Sequence, residues 1–404
     1  MQKTYKVAII GGGFSGLICA ETLSSQLGGE NVLLVEKNER VGKKILATGN
    51  GRGNFTNLVL SSEKYHSVCG AKVSQILNKY GNKSIIDYFK GLGVDFCAED
   101  NKVYPSSFQA NSLLDMLRLK LDYLKTDIKT SNRVEKIVRC KNKFKIIANE
   151  EYYAEKVIFA CGGKAGKQYG TDGTSYSMLE ELGHSITKLY PSLVQMKTDT
   201  TKIKGLKGLK QEADLTVIVN GKSVASFRGD VLFTDFGISG NAVFYASAYL
   251  QNEKASQVSI SFLPEKSKQE IEEFIFNKFK NLPYVSVEDC LIGVLNKQIG
   301  KAIIKDCETV GKNLETAKKI ASKIKDFRLD IKGTLGFDNA QVTKGGIRFS
   351  EVDETTLQSE IVKGLYIVGE ALDVDGDCGG YNLQWAYSSA KTACDGVIED
   401  YEDR

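Results

Sequence analysis

Residues 7–36 constrain the fold of this chain more than any other stretch. Val7-Ala8-Ile9-Ile10 is a short apolar run, the pattern of a strand buried on both faces. Gly11-Gly12-Gly13-Phe14-Ser15-Gly16 follows at once and satisfies G-x-G-x-x-G. Residues 17–27 predict a helix, and Val32-Leu33-Leu34-Val35 a second buried strand ending in Glu36. Each glycine answers a separate demand. Gly11 permits a tight turn, Gly13 lets a pyrophosphate approach the backbone, and Gly16 lets the helix pack close to the strand. The N–H groups at the helix start, at Phe14 and Ser15, are placed to hold an anion. Glu36 lies about 20 residues beyond the glycines, where a carboxylate accepts from ribose hydroxyls. A lone glycine motif can be a structural turn. Strand, glycines, helix, strand and acid in this order predict a dinucleotide-binding unit, and the fold class expected is doubly wound, Rossmann-like α/β.

At 404 residues the chain has room for two or three domains and a large core. Its 54 basic and 50 acidic residues give a formal charge of +4, which makes no case for nucleic acid or a membrane surface. The lysines of 202–210 are expected to be a solvated loop. No apolar run reaches about 18 residues, so no membrane span is predicted. A nucleotide-binding strand starting at Val7 leaves no place for a signal peptide. The nine cysteines form no C-x-x-C pair, and their odd number suggests reduced thiols and a cytoplasmic protein. With His66 and His184 as the two histidines, no histidine metal site is expected.

Further along, 113–124 reads as a helix, and 133–138, 144–148 and 157–160 as strands of a small meander. Asn220-Gly221 predicts a hairpin turn, and strand-like pieces recur at 231–233 and 258–262. Residues 266–325 carry apolar positions at helical spacing, such as Ile271, Phe274, Ile275 and Phe279, and predict three or four amphipathic helices. The expected domains are a discontinuous nucleotide-binding domain (1–190 and 341–404), a β-rich domain (191–265 and 326–340) and a helical insertion (266–325). The terminal parts are expected to hold the cofactor and the inserted parts to choose the substrate.

Three later segments favour FAD over NAD. Lys37 and Lys43 lead into a second glycine-rich loop, Ala47-Thr48-Gly49-Asn50-Gly51-Arg52-Gly53-Asn54, which suits a long, bent flavin dinucleotide. Arg52 is read as a ligand contact, with a surface arginine as the alternative. Val157-Ile158-Phe159-Ala160-Cys161-Gly162-Gly163 resembles the A-T-G strand of flavoproteins with two dinucleotide folds, with Cys161 in the Thr place. Gly364-Leu365-Tyr366-Ile367-Val368-Gly369-Glu370 resembles the strand that closes such sites. The helix expected near Asn382 would then point its positive end at the flavin.

The strings Lys43–Arg52, Val342-Thr343-Lys344-Gly345-Gly346-Ile347, Phe233-Thr234-Asp235-Phe236-Gly237-Ile238-Ser239-Gly240 and 369–386 together resemble the YhiN/BaiN-like FAD-dependent oxidoreductases nearly end to end. The resemblance implies FAD-binding, β-rich and helical domains. It also implies one of two activities: reduction of a bile-acid enone, or oxidation of aminoacetone. The Asp-Gly-Asp-Cys-Gly-Gly-Tyr-Asn form of 375–382 looks closer to the reductase branch. Where the family usually reads G-R-C-N, this chain has Gly53, proposed as no more than a backbone contact. Val134, Asp373, Gly380 and Leu383 complete the expected cofactor contacts, beside the residues already named.

No second G-x-G-x-x-G sits between later strands, so a dedicated NAD(P)H domain is not visible. NADH or NADPH is expected, if at all, as a transient donor. Tyr381 is the candidate proton donor, with packing at the helix start as its alternative. Cys378 reads as a small buried residue rather than a flavin-side thiol. Asp375 and Asp377 either contact substrate or shape a turn. His184 is expected to favour a helix end. The function expected is reduction of a C=C bond conjugated to a ketone in a small-molecule substrate. An amine oxidase, or a flavin-containing RNA-binding or redox-sensing protein, are the rivals. The oligomeric state is left open.

Overall fold

Strand β1 (Thr4–Ile10) ends in four consecutive apolar residues, and all four are buried. A strand without a polar face must be covered on both sides. The computed structural model, which describes residues 3–68, 70–71, 73–250, 256–308 and 311–402, places it inside a seven-stranded sheet. The other members are β2 (Val32–Val35), β3 (Asp127–Lys129), β4 (Lys136–Cys140), β5 (Lys143–Ile147), β6 (Glu151–Phe159) and β7 (Leu365–Ile367). The order is β3-β2-β1-β6-β5-β4, with β7 also on β6. β1, β2, β3, β6 and β7 pair in parallel, and β5 pairs antiparallel with both of its neighbours, β6 and β4.

The meander expected from the sequence is present, but its third strand starts at Glu151 and belongs to both parts of the sheet. Its first half alternates exposed and buried residues and pairs with β5, Glu151 opposite Ile147. Its second half, Val157–Phe159, is buried throughout and takes β7 in parallel, Val157 opposite Leu365. The apolar run visible in the sequence is therefore the half that lies deep in the parallel sheet.

Helix α1 (Phe14–Leu27) follows β1, and residues 14–24 are all buried. α2 (Ala110–Tyr123) buries Leu113, Leu114, Leu117 and Leu121 on one face. The last helix, α3 (Tyr381–Glu402), packs on α1. The Cys19 thiol donates to the Ala390 carbonyl at 3.7 Å, and the Cys394 thiol to the Cys19 carbonyl at 3.9 Å. Lys156 on β6 is buried and ion-paired with Asp400 of α3. The described cysteines are free thiols, and Cys69 lies outside the described residues.

The chain divides into two compact units, Met1–Pro191 with Gln341–Arg404, and Ser192–Ala340. The second unit is built on a closed antiparallel barrel of Met196–Thr198, Gly237–Ser239, Lys222–Phe233, Lys210–Val219, Ser256–Ser261 and Phe327–Thr334. Its long hairpin turns at Asn220 and Gly221, both left-handed as a two-residue turn requires. Three helices, Lys268–Asn281, Lys297–Lys305 and Leu314–Lys325, bury Ile271, Ile275, Ile299, Ile303, Ile320 and Ile324 in the same apolar core as Val217, Ile260 and Leu329 of the barrel. Lys207 and Lys210, from the basic stretch, are exposed and paired with Asp235 and Asp230. Among the described residues no helix is long and apolar enough to cross a membrane.

Candidate active site

The turn between β1 and α1 is built by steric necessity at two of its glycines. Gly11 has φ +106°, and a Cβ there would lie 2.5 Å from the Ala160 carbonyl oxygen. A Cβ on Gly16 would lie 1.9 Å from the Gly11 carbonyl oxygen. Gly13 is different: it is extended, and nothing lies within 4 Å of where its Cβ would be. It is also the N-cap of α1, and no side chain caps the helix. The first turn of α1 therefore presents backbone N–H groups beside open space. Phe14 is buried and stacks on Phe89, ring centroids 6.0 Å apart. Ser15 faces Gly369, where a Cβ would meet its hydroxyl at 2.8 Å.

Glu36 closes this turn. One carboxylate oxygen accepts from the Gly12 N–H at 2.8 Å and the other from the Asn38 N–H at 2.7 Å. The side chain is pinned at the end of β2 with 7% of the residue exposed. Lys37 turns away to Asp172 at 3.0 Å. Burial alone would raise the Asp172 pKa, but the Thr174 hydroxyl and N–H and the Lys37 ammonium hold it at about 2. Lys43 is half-buried. Its neighbour Lys44, absent from the expected contacts, donates to Glu370 at 2.7 Å and to the Ala165 carbonyl at 3.1 Å. Glu370 also accepts from the Thr343 N–H at 2.7 Å, and Thr343 in turn accepts from the N–H groups of Lys164 and Ala165.

The second glycine loop has three left-handed residues in succession, Gly49, Asn50 and Gly51. Thr48 steadies it by donating to the Ile45 carbonyl at 2.6 Å. Gly53 is left-handed too, and a Cβ there would meet Ala110 at 2.8 Å, so glycine at this place is a packing requirement. Arg52 and Asn54, both expected as contacts, are engaged with protein groups. The Arg52 guanidinium lies 4.4 Å from the rings of both Tyr104 and Phe108 and pairs with Glu99 at 2.5 Å. The Asn54 amide donates to the carbonyls of Thr56 and Val103. Val134 is buried in the apolar core next to β4.

After β6 the chain passes Ala160, Cys161 and Gly162 directly over the first turn. The Cys161 thiol donates to the Ile10 carbonyl at 3.4 Å, and burial, then the nearby Glu36 charge, pushes its pKa up to about 12. A thiol raised in this way is a weaker nucleophile than a free cysteine.

The segment 373–385 is joined to 57–68, a pairing that sequence patterns did not reveal. Tyr65–His66 and Asp375–Gly376 form a short antiparallel ladder. Asp373, fully buried, accepts from the Ser67 hydroxyl at 2.8 Å and the Val68 N–H at 3.0 Å. Asp377 accepts from His66 Nε2 at 2.8 Å and pairs with Lys64 at 3.4 Å. The Tyr65 hydroxyl donates to the Tyr381 carbonyl at 3.1 Å. The Trp385 indole donates to the Gly369 carbonyl at 3.1 Å. Asn382 clamps Gly376 from both sides, accepting from its N–H at 2.8 Å and donating to its carbonyl at 2.7 Å. Gly380 has φ +98°, and a Cβ there would lie 2.4 Å from the Thr56 carbonyl. Leu383 is half-buried against the core.

Tyr381 was expected to offer a proton. Its hydroxyl donates to the Val59 carbonyl at 2.9 Å, and burial, then the Asp377 charge, raises its pKa. It serves here as a clamp at the start of α3. Cys378, expected to be a small buried residue, is half-buried, and desolvation pushes its thiol up. His184, expected at a helix end, follows the helix Tyr176–Glu181, and its N–H donates to the Leu179 carbonyl at 2.9 Å. It is buried between Glu351, 3.1 Å from Nδ1, and the Ser359 hydroxyl, 2.9 Å from Nε2.

A dinucleotide-type turn on a doubly wound parallel sheet, with a barrel-based second unit, defines the class. The chain matches the family model "HI0933-like protein Rossmann domain" over residues 5–396, and it belongs to that family. It is 34% identical over 400 residues to the 3-dehydro-bile acid delta(4,6)-reductase of Clostridium scindens, covering 96% of this chain and 98% of that one. It is 29% identical over 415 residues to the ribosomal RNA dihydrouridine synthase of Escherichia coli, covering 98% and 99%. Among solved structures it is similar in fold to the 3-ketosteroid-delta4-(5alpha)-dehydrogenase of Rhodococcus jostii RHA1, with a TM-score of 0.52 at 14% identity, covering 98% and 97%.

Proposed function

We propose that the chain is an FAD-dependent oxidoreductase that reduces a carbon–carbon double bond conjugated to a ketone in a steroid-like substrate. The observation that carries the cofactor reading is Gly13. An uncapped helix start faces open space, with nothing within 4 Å of where a Gly13 Cβ would project, and Glu36 is pinned at the other end of the same turn. These residues fit the adenosine diphosphate half of FAD. The α1 N–H groups bind the pyrophosphate, and Glu36, with lone pairs left on both oxygens, accepts from the ribose. The left-handed run 49–51 offers backbone close to the rest of the cofactor, and the start of α3 favours negative charge by up to ~2 kcal/mol where partly buried. Bound FAD supplies two-electron hydride chemistry.

The reaction class rests on the relatives. The Clostridium scindens protein is a reductase of a dehydro bile acid, and the Escherichia coli protein makes dihydrouridine. Dihydrouridine is uridine reduced at a double bond conjugated to a ring carbonyl, so both products follow from one bond class. The higher identity favours the bile-acid type. NADH or NADPH serves as a transient donor in this reading.

The test is anaerobic. The flavin-loaded protein is reduced with NADH, NADPH or light and mixed with a 3-oxo-4-ene steroid, with uridine-containing RNA, or with oxygen. Reoxidation by the steroid, with loss of the enone absorbance, is the expected result. Fast reoxidation by oxygen with no response to either organic acceptor would point to an oxidase, and response to RNA alone would move the substrate to the uracil ring.

A further inference from the structure

Lys44 ties together chain segments that border the α1 turn. Its ammonium donates to Glu370 at 2.7 Å and to the Ala165 carbonyl at 3.1 Å. The other oxygen of Glu370 accepts from the Thr343 N–H at 2.7 Å, so the carboxylate is held from both sides. Chain neighbours of both residues touch the turn itself. The Gly42 N–H donates to the Gly12 carbonyl at 2.8 Å, and a Cβ on Gly12 would lie 2.7 Å from Val41. A Cβ on Gly369 would lie 2.8 Å from the Ser15 hydroxyl. Consecutive Cα atoms are about 3.8 Å apart, so the Glu370 Cα lies within about 8 Å of that hydroxyl, in the first turn of α1.

A carboxylate at this place opposes the anion that the α1 N–H groups are placed to bind. The turn already carries Glu36, whose two oxygens are held by neutral backbone N–H groups. Lys37, next in the chain, is paired with Asp172 at 3.0 Å. Glu370 nevertheless has a task. It holds Thr343, whose hydroxyl accepts from the N–H groups of Lys164 and Ala165 and so fixes the chain that leaves β6. A Cβ on Gly163 would lie 2.4 Å from the Thr343 hydroxyl and 2.9 Å from Glu370, so this knot is closely packed. The side chains of Lys44 and Glu370 are 27% and 20% exposed, which leaves their charges only partly screened by water.

We propose that Lys44 is the counter-ion of the cofactor cradle, cancelling the charge of Glu370 so that a nucleoside diphosphate group can bind at the start of α1; this rests on the FAD reading above. Lys44 acts through Glu370 and is a positioning residue. The pair keeps the knot of residues 164–165, 343 and 370 and removes the repulsion that its carboxylate would bring. Two unit charges about 10 Å apart, at an effective dielectric of about 20, change an affinity roughly tenfold. That factor is the effect expected when either charge is removed, and the two effects have opposite signs.

The test titrates the full-length protein, freed of flavin, with ADP and with adenosine, which carries no charge. ADP reports on the diphosphate without the flavin half of the cofactor. Lys44→Met should weaken ADP roughly tenfold or more and leave adenosine unchanged. Lys44→Arg, which keeps the charge, should stay near wild type. Glu370→Gln keeps an acceptor for the Thr343 N–H and loses the charge, so it should bind ADP more tightly than wild type. The double variant Lys44→Met with Glu370→Gln should return to near the wild-type affinity. High salt should shrink the gap between wild type and Lys44→Met. A purely structural role for the pair predicts neither the tightening nor the recovery. Unchanged ADP binding in Lys44→Met, or a double variant as weak as Lys44→Met, would overturn the proposal. If Lys44→Met does not fold, Glu370→Gln decides by itself: weaker ADP binding there overturns the proposal as well. A wild-type protein that takes up neither ADP nor FAD would remove the cofactor reading, and this proposal with it.

Discussion

Gly13 and Gly16 stand in one turn and answer to different constraints, which makes them the sharpest probes at the scale of single residues. Gly16→Ala drives a methyl group into the Gly11 carbonyl and should cost about 1–3 kcal/mol or more of stability. Gly13→Ala meets no atom, so the apoprotein should stay within about 0.5 kcal/mol of wild type. The same methyl group occupies the cradle, and FAD affinity should fall at least about tenfold, ~1.4 kcal/mol. Melting curves and flavin titration separate the two outcomes; a Gly13→Ala protein that binds FAD normally would place the pyrophosphate elsewhere. Glu36→Ala removes charged acceptors worth roughly 1.5–3 kcal/mol, so affinity should drop about 10- to 150-fold. His184 gives a prediction about pH. Burial pushes it below its ordinary value of 6.5 against the pull of Glu351, so the unfolded chain binds more protons between the two values. That contribution is present above 6.5 and is lost as pH falls toward the folded value. Glu351 adds a loss of the same sign at lower pH. Burial would raise it, but the Ser185 N–H and hydroxyl and His184 hold it below its usual range. The melting temperature should decline from about pH 8 to about pH 5, and His184→Gln should flatten the part near 6.5. An unchanged slope would exclude His184 as its source.

At the scale of elements, the start of α3 depends on its contact with the strand Thr56–Asn57. Gly380→Ala combines a left-handed backbone with a Cβ 2.4 Å from the Thr56 carbonyl. It should lower the melting temperature more than Gly221→Ala. That hairpin glycine is left-handed but has no atom within 4 Å of its Cβ, so strain of about 1–2 kcal/mol is its whole cost. Equal effects would mean the Thr56 contact gives way easily. Elements of this kind differ in how readable they were. β1, β2, α1 and the barrel hairpin carry an apolar run, a helical period or an Asn-Gly turn, and they appear where these signals put them. The ladder of Tyr65–His66 with Asp375–Gly376 carries no period, because two residues are too few to show one. Its one signal was the spacing of Asp373, Asp375 and Asp377. Three carboxylates that fold into the interior must find donors, and Ser67, Val68, His66 and Lys64 supply those of Asp373 and Asp377 from far along the chain. Lys44 and Thr343 escaped the contact set for the same reason, since their partner Glu370 is distant in sequence.

At the scale of the whole molecule, Ser192–Ala340 closes its own barrel, with Met196 opposite Thr334 near its two ends, and it has its own apolar core. A fragment of residues 192–340 should therefore fold alone, with a cooperative melt and dispersed amide NMR signals, and it should bind no flavin. A fragment without a melting transition would make this unit dependent on the rest of the chain. The remaining residues carry the Gly11–Gly16 turn, Glu36, the 48–54 loop and the 369–385 segment, and these are the residues proposed to hold FAD. The most direct measurement is to denature the purified full-length protein by heat, identify the released cofactor by chromatography and compare its amount with that of protein. Equimolar FAD is the expected result; release of FMN or NAD, or a colourless protein that takes up no FAD when it is supplied, would contradict the account.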